Sequence, residues 1–228
     1  MLRVLHSSDL HGKYKRLLKG MKDADFQVWV DTGDFYDNIG RTNKTNYRII
    51  PEMERVQQSR WWGWKMLGSR MAEWLDGRPA IIVPGNHDFI NLHHYLKRAG
   101  ADSHLVTPKG VEVAGLRWAG FRNVLHMVDE WEGETFEPDF DQIVAETMAS
   151  DPDVLVTHSP PSGILNPQEC DYGIRAVTHH LSYLPHRVRW HFFGHDHDGG
   201  GQQIEQLGIR FINGALHTLI HEVGEPRE

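Results

Sequence analysis

Short apolar runs, each breaking off into a polar cluster, recur along the chain. Leu2–His6 leads into Ser7-Ser8-Asp9-Leu10-His11-Gly12, and Phe26–Val30 into Asp31-Thr32-Gly33-Asp34. Ala80–Val83 leads into Pro84-Gly85-Asn86-His87-Asp88, Val154–Val156 into Thr157-His158-Ser159-Pro160-Pro161, and Trp190–Phe193 into Gly194-His195-Asp196-His197. Continuous apolar runs of this length, bounded by Gly and Pro, predict buried strands. Between them Lys13–Lys22 carries apolar residues at 14, 17, 18 and 21, an amphipathic helical spacing. Met53–Leu75 predicts a longer helix whose Trp61, Met66, Met71 and Trp74 face the core, and Phe140–Ala149 and Gly173–Leu181 predict shorter ones. Strand–helix alternation indicates an α/β fold. Val111–Ala119 reads as two strands joined by a tight turn at Gly115, and Gln202–Val223 as a strand meander, so mixed sheets are expected. Asp37–Thr45 and the acidic stretch Val128–Asp141 read as long loops. With no repeat, linker or low-complexity tract, residues 1–228 are expected to form one domain.

Charge and composition then remove several function classes. The chain has 24 Lys and Arg against 31 Asp and Glu, a formal charge of −7, which argues against nucleic-acid binding through a broad basic face. Cys170 is the only cysteine, so neither a disulfide framework nor a Cys-rich zinc module is expected. No apolar run is long enough to span a bilayer or serve as a signal peptide, and the sequence reads as cytoplasmic, with no membrane partner. The anomaly is 16 histidines.

Five of them fall in the polar clusters. Asp9, His11, Asp34, Asn86, His87, His158, His195 and His197 all follow strand ends, where open α/β sheets place their ligand crevice. Any one alone is ordinary turn chemistry or a structural histidine. Five such clusters after five strands point to one site. His, Asp and Asn without Cys suit Mn²⁺, Fe²⁺ or Zn²⁺ bound away from thiolates. The set is too large for one tetrahedral ion and fits two divalent ions sharing a carboxylate, the clamp used in displacement at phosphorus. With only Asp9 and Asp34 anionic, two such ions leave the pocket net positive, a trap for phosphate.

In this order, Asp9–His11, Gly33–Asp37, Gly85–Asp88, His158 and Gly194–His197 resemble the five motifs of the calcineurin-like metallophosphoesterases. The resemblance implies a layered sandwich of two mixed β-sheets flanked by helices, with metals at strand ends. It implies Asp9, His11, Asp34 and His197 on one ion and Asp34, Asn86, His158 and His195 on the other, Asp34 bridging. His87 would contact the phosphate and protonate the leaving oxygen, with Asp37 orienting it. Asn38, Asp88 and Phe89 depart from the protein Ser/Thr phosphatases, whereas Thr157–Leu165 is similar to small single-domain phosphodiesterases. Phe211-Ile212-Asn213-Gly214 resembles the strand and turn that follow the last motif in that group. The expected activity is hydrolysis of a phosphodiester or small phosphorylated substrate by a metal-bridged hydroxide, with Mn²⁺ favoured. The alternatives are a nuclease of the same chemistry, using Lys13, Lys15, Arg16, Lys19 and Lys22 along the backbone and Trp61, Trp62 and Trp64 for stacking, or a non-catalytic metal-stabilised scaffold. His217, near Asn213-Gly214, is a lesser substrate-contact candidate, and Cys170 a bystander.

Overall fold

A computed structural model describes residues 1–38, 50–65, 67–165 and 172–224, with backbone only at 61–65 and 67–69. In the first sheet β1 (Leu2–Ser7), β2 (Val28–Asp31), β3 (Ala80–Ile82) and β4 (Ser103–Leu105) run parallel, and β13 (Thr218–Val223) pairs antiparallel with β1 at the edge. The second sheet has β6 (Leu116–Phe121), β9 (Val154–Thr157), β10 (Trp190–Phe193) and β12 (Ile209–Asn213) in parallel. Its edges are the antiparallel β5 (Val111–Val113) and β11 (Gln203–Gln206). A two-stranded ribbon, β7 (Val124–Leu125) with β8 (Glu134–Thr135), stands apart.

Period-two alternation decides which face each strand residue covers. Val4, Val28, Val30 and Ile81 of the first sheet meet Trp118, Val154, Val156, Phe192 and Ile212 of the second in a central apolar layer. Their neighbours face the other way. Leu5, Trp29, Ala80 and Ile82 pack under α1 (Lys15–Asp23), α3 (Leu67–Leu75) and α4 (Leu92–Arg98). On the far side Leu155, Phe193 and Phe211 pack under α5 (Phe140–Ala149) and α6 (Arg175–Tyr183). The strands are apolar on both faces because both faces are covered. The result is the expected sandwich of two mixed sheets between helical layers.

Most elements fall where the pattern placed them, and the differences have physical causes. The long helix expected over Met53–Leu75 is two, α2 (Pro51–Lys65) and α3. Met71 lies in the core as expected, while the side chains of Trp61, Trp62, Trp64 and Met66 lie outside the description. The turn at Gly115 is a two-residue hairpin with positive φ at both Ala114 (52°) and Gly115 (77°), the mirror-image geometry that suits strand twist. Leu207 (55°) and Gly208 (72°) join β11 to β12 in the same way. The meander over Gln202–Val223 is only partly realised, because β13 leaves the second sheet and closes the first along β1. The Val128–Asp141 stretch is not all loop: it contains β8 and a 3₁₀ turn at Glu137–Asp139. Of the loop over Asp37–Thr45, residues 39–45 lie outside the described residues, as does Cys170.

Three histidines outside the strand-end clusters are built into the packing. His191 lies fully buried on β10, its Nε2 donating to Thr157 Oγ1 at 2.8 Å while that hydroxyl donates to Ser159 O. Burial pushes its pKa down to about 3; burial, aided by Arg210, holds His221 near 4, and burial beside His221 pushes His6 well below its ordinary value. An unfolded histidine titrates near 6.5, so between that pH and the folded value the unfolded chain binds more protons. Each neutral histidine therefore stabilises the fold fully above about pH 6.5 and progressively less as the pH falls below it. His191→Leu leaves the Thr157 hydroxyl still paired with Ser159. It should flatten the acid limb of stability, by up to about 1.4 kcal/mol per pH unit relative to wild type. Urea midpoints of both proteins between pH 5 and 7.5 check this, and parallel curves would exclude it.

Candidate metal centre

The five polar clusters converge on one edge of the sandwich. Asp9 and His11 follow β1, Asp34 follows β2 and Asn86 and His87 follow β3, all in the first sheet; His158 follows β9 and His195 and His197 follow β10, in the second. The backbone there is bent into conformations that L-residues rarely adopt: φ is positive at Asp9 (53°), His11 (42°), Asp34 (54°) and His195 (65°). Four left-handed non-glycine residues in one site mark strain held by the surrounding structure. The chain turns off each strand end there, directing its side chains into a shared pocket.

Two glycines make the approach of these loops possible. A Cβ on Gly85 would collide with Asp34 Oδ1, and one on Gly194 with Ser8 Oγ and Asp9 Oδ2. Gly194→Ala should therefore cost the protein its metal while leaving far-ultraviolet circular dichroism unchanged. Elemental analysis after reconstitution reads the outcome, and full metal content would show that the loop yields freely.

Three groups of ligand-type atoms lie within 4.8 Å of one another: Asp9 with His11 and His197, His11 with Asp34 and His87, and Asp34 with His158 and His195. His11 Nε2 is 3.3 Å from His197 Nε2, which is 3.2 Å from Asp9 Oδ1. Asp34 sits between the groups. Its Oδ1 is 3.4 Å from His158 Nε2, and its Oδ2 is 3.8 Å from the Nε2 atoms of both His11 and His87. Asn86 Oδ1 adds a further oxygen 3.0 Å from His158 Nε2.

The atoms surrounding this set show why a cation fits. His158 Nδ1 donates to Thr32 O at 2.7 Å, which turns the lone pair of the neutral ring's Nε2 toward Asn86 Oδ1 and Asp34 Oδ1. Three acceptors facing one another in a buried site favour a cation or a proton among them. Without a metal a proton takes that place. Burial alone would lower the His158 pKa, but Asp34 and Asp9 outweigh it and raise it to about 9. Burial likewise opposes ionisation of Asp34, yet His87, His158 and His11 hold its carboxyl well below the usual range. His195 stays neutral, pushed to about 4 by burial and by His158. His195 and Asp34 are thus already in the protonation states that metal ligation needs, and the His158 proton is the one an ion would displace.

Outer contacts hold the ligands in place. Ser8 Oγ donates to Asp9 Oδ2 at 2.5 Å, and His195 N donates to the same oxygen at 2.9 Å. Asn213, at the end of β12, donates to Asp196 O and accepts from Ala215 N, bracing the loop that carries His195 and His197. Asp88 accepts from Gly85 N and Tyr36 N, tying the second and third clusters together. Arg122 donates to Gly85 O at 2.8 Å and Asp88 O at 3.1 Å. The Trp131 ring lies on that of His87, centroids 4.0 Å apart, and Tyr172 meets His195 edge-on at 5.7 Å. Sequence reasoning missed Trp131, Arg122 and Tyr172; they lie in stretches without a motif.

Asp37 is placed differently from expectation. Its side chain is exposed and accepts from Asn38 N at 3.0 Å, whereas the buried Asn38 presents Oδ1 to His87 Nδ1 at 2.5 Å. His217 turns its Nδ1 to Ala215 O at 2.7 Å and belongs to none of the three groups.

A family model described as calcineurin-like phosphoesterase matches residues 2–199. No curated protein matches the chain in sequence. Among solved structures, a Thermus thermophilus protein, TT1561, is similar at a TM-score of 0.60 and 12% identity, covering 94% of this chain and 89% of that one. A dimetal phosphatase from Danio rerio is similar at a TM-score of 0.54 and 14% identity, covering 93% and 86% respectively. At these identities the two structures show a shared fold.

Proposed function

The chain belongs to the calcineurin-like phosphoesterase family, and from that premise we propose that it is a dinuclear-metal hydrolase of a phosphodiester or small phosphorylated substrate. The observation that carries this reading is Asp34, whose two oxygens face opposite groups of histidines in a pocket of converging acceptors. In this reading Asp9, His11, Asp34 and His197 hold one ion, and Asp34, Asn86, His158 and His195 the other. Two divalent ions, Mn²⁺ favoured over Fe²⁺ or Zn²⁺, would supply Lewis acidity toward phosphoryl oxygens and activate water near neutral pH.

The remaining steps belong to the chain itself. Asn86 and His87 would contact the phosphoryl group, which the positive pocket attracts. His87 is held through Nδ1, leaving Nε2 on the pocket side, where a protonated ring can donate to the leaving oxygen as general acid. Asp37 supports this indirectly, through its bond to Asn38 N. Among the described residues no helix is long and apolar enough to cross a membrane. A small soluble substrate and a cytoplasmic setting complete the proposal, with the single cysteine as support for the latter.

A substrate panel with Mn²⁺ tests it: nitrophenyl mono- and diesters, 2′,3′- and 3′,5′-cyclic nucleotides, and single- and double-stranded DNA. Turnover of diesters or small monoesters without DNA cleavage is the expected result. DNA degradation with binding that falls steeply in salt would instead make the chain a nuclease. No turnover of anything would replace catalysis with a scaffold role.

A further inference from the structure

We infer that Glu54 is a positioning residue for His87, acting through the side-chain amide of Asn38; this rests on the proposed role of His87 as leaving-group acid. Glu54 stands in the first turn of α2 and is only 2% exposed. Carboxylates buried to this degree are rare unless paired. It belongs to none of the three ligand groups.

Its Oε2 accepts from Asn38 Nδ2 at 3.2 Å, and the same amide nitrogen donates to His87 O at 3.3 Å. Two acceptors on one side of the amide fix which way it faces, so its oxygen is the atom turned to His87 Nδ1. An amide oxygen can only accept. His87 Nδ1 must therefore carry the hydrogen, and Nε2 becomes the atom that exchanges a proton with the pocket. Reversing the amide would put its oxygen against a carboxylate and a carbonyl at once. Glu54 thus selects the histidine tautomer from two bonds away.

The same helix holds the backbone. Gln58, four residues further and 1% exposed, donates to His87 O at 2.8 Å and accepts from Phe89 N at 2.9 Å and Ile90 N at 3.2 Å. The Trp131 ring, tilted against the imidazole, and the edge-on His11 ring add contacts to the side chain itself. A neutral amide in contact with His87 sets the tautomer without adding a full charge beside Asp34. The carboxylate is kept one residue further back.

The test compares Glu54→Leu, Glu54→Gln, Asn38→Asp and the double variant Asn38→Asp/Glu54→Gln with wild type and His87→Ala, all metal-loaded. Glu54→Gln keeps an oxygen that can accept from Asn38 and should retain most activity. Glu54→Leu should lose about 10–100-fold in kcat on alkyl diesters, the range for an outer partner of a functional histidine. It should lose much less on nitrophenyl esters, with KM and metal content unchanged. Asn38→Asp sets two carboxylates together and leaves an oxygen against His87 O, so it should be impaired; adding Glu54→Gln removes the first fault and should restore part of the activity. ¹⁵N spectra of histidine-labelled, zinc-loaded protein give a readout independent of turnover: the Nδ1–H form of His87 in wild type, a mixture in Glu54→Leu. Equal losses on both substrate types, or an unchanged tautomer, would overturn the inference. Should Glu54→Leu fail to fold, rescue of Asn38→Asp by Glu54→Gln supports it and absence of rescue refutes it. If His87→Ala shows no leaving-group dependence, the acid role of His87 fails, and the spectra still decide whether Glu54 sets its tautomer.

Discussion

Asp34→Asn is expected to abolish turnover and strip the protein of at least one ion. The native carboxylate offers Oδ1 toward His158 and Oδ2 toward His11 and His87, and Oδ1 also accepts from His87 N at 2.8 Å. An asparagine there has one accepting oxygen and one donating nitrogen, so whichever way it turns it presents hydrogens to one group of histidines. It also removes one of the two negative charges that the expected ligand set contributes. The loss should exceed the roughly 10–100-fold seen when an outer partner of a metal ligand is removed. It should also exceed the loss at any ligand that serves one ion alone. Elemental analysis of Mn²⁺-reconstituted protein should approach two equivalents in wild type and one or fewer in the variant. A fully active wild type with one equivalent would end the dinuclear reading.

His87→Ala should instead keep its metals and slow catalysis by about 10²–10⁴-fold, the usual share of general acid catalysis. The loss should depend on the leaving group. A nitrophenolate departs with little help, whereas a ribose or alkyl alkoxide needs nearly a full proton. The variant should therefore be hurt far more on nucleotide or alkyl diesters than on nitrophenyl esters. His197→Ala is the contrast: its Nε2 lies against Asp9 and His11, so it should lose metal and damage both substrate types alike. An equal loss in His87→Ala, accompanied by reduced metal content, would make His87 a ligand; its place beside His11 and Asp34 gives that outcome a geometric basis.

The strand-end clusters were legible because their signal is local: a buried strand, a Gly-containing turn and a residue with metal-binding chemistry lie adjacent in the chain. The positive φ values at Asp9, His11, Asp34 and His195 show what those turns accomplish; Asp and His enter this region more readily than most residues, but their identity alone does not say which of them do. Non-local choices were not legible. Asp37 and Asn38 are neighbours, and the family resemblance pointed to the carboxylate. Packing decided otherwise: Asn38 is buried between Glu54 and His87, and Asp37 faces solvent against Gly12. Trp131 reaches His87 because Glu132, next to it, donates its N–H to Asn86 O and pairs with Arg55 and Arg122. Those partners are far apart in sequence. α4 had a readable start, since Asn91 caps it by accepting from His93 N, but its seven residues are too few for a clear periodic signal. β13 could have paired in either sheet on pattern alone, and closing the edge beside β1 is a choice made by the fold.

The division of the ligand loops between the two sheets makes ion binding a matter of mechanical cohesion as well as chemistry. The inner faces of the sheets meet through Val, Ile, Phe and Trp contacts, which attract without fixing direction. At the carboxyl edge the contact is directional: His158 of one sheet reaches Thr32 O of the other, and His195 N reaches Asp9. Ions coordinated from both sides would rivet that seam. Each ion held at a hundredfold excess over its dissociation constant adds about 2.7 kcal/mol to the folded state. The melting temperature should therefore climb with free Mn²⁺ and drop when a chelator is added. Proteases should open the chelated protein first along the line where the sheets join, so the residues that select the ions also govern how long the folded chain survives when ions are scarce.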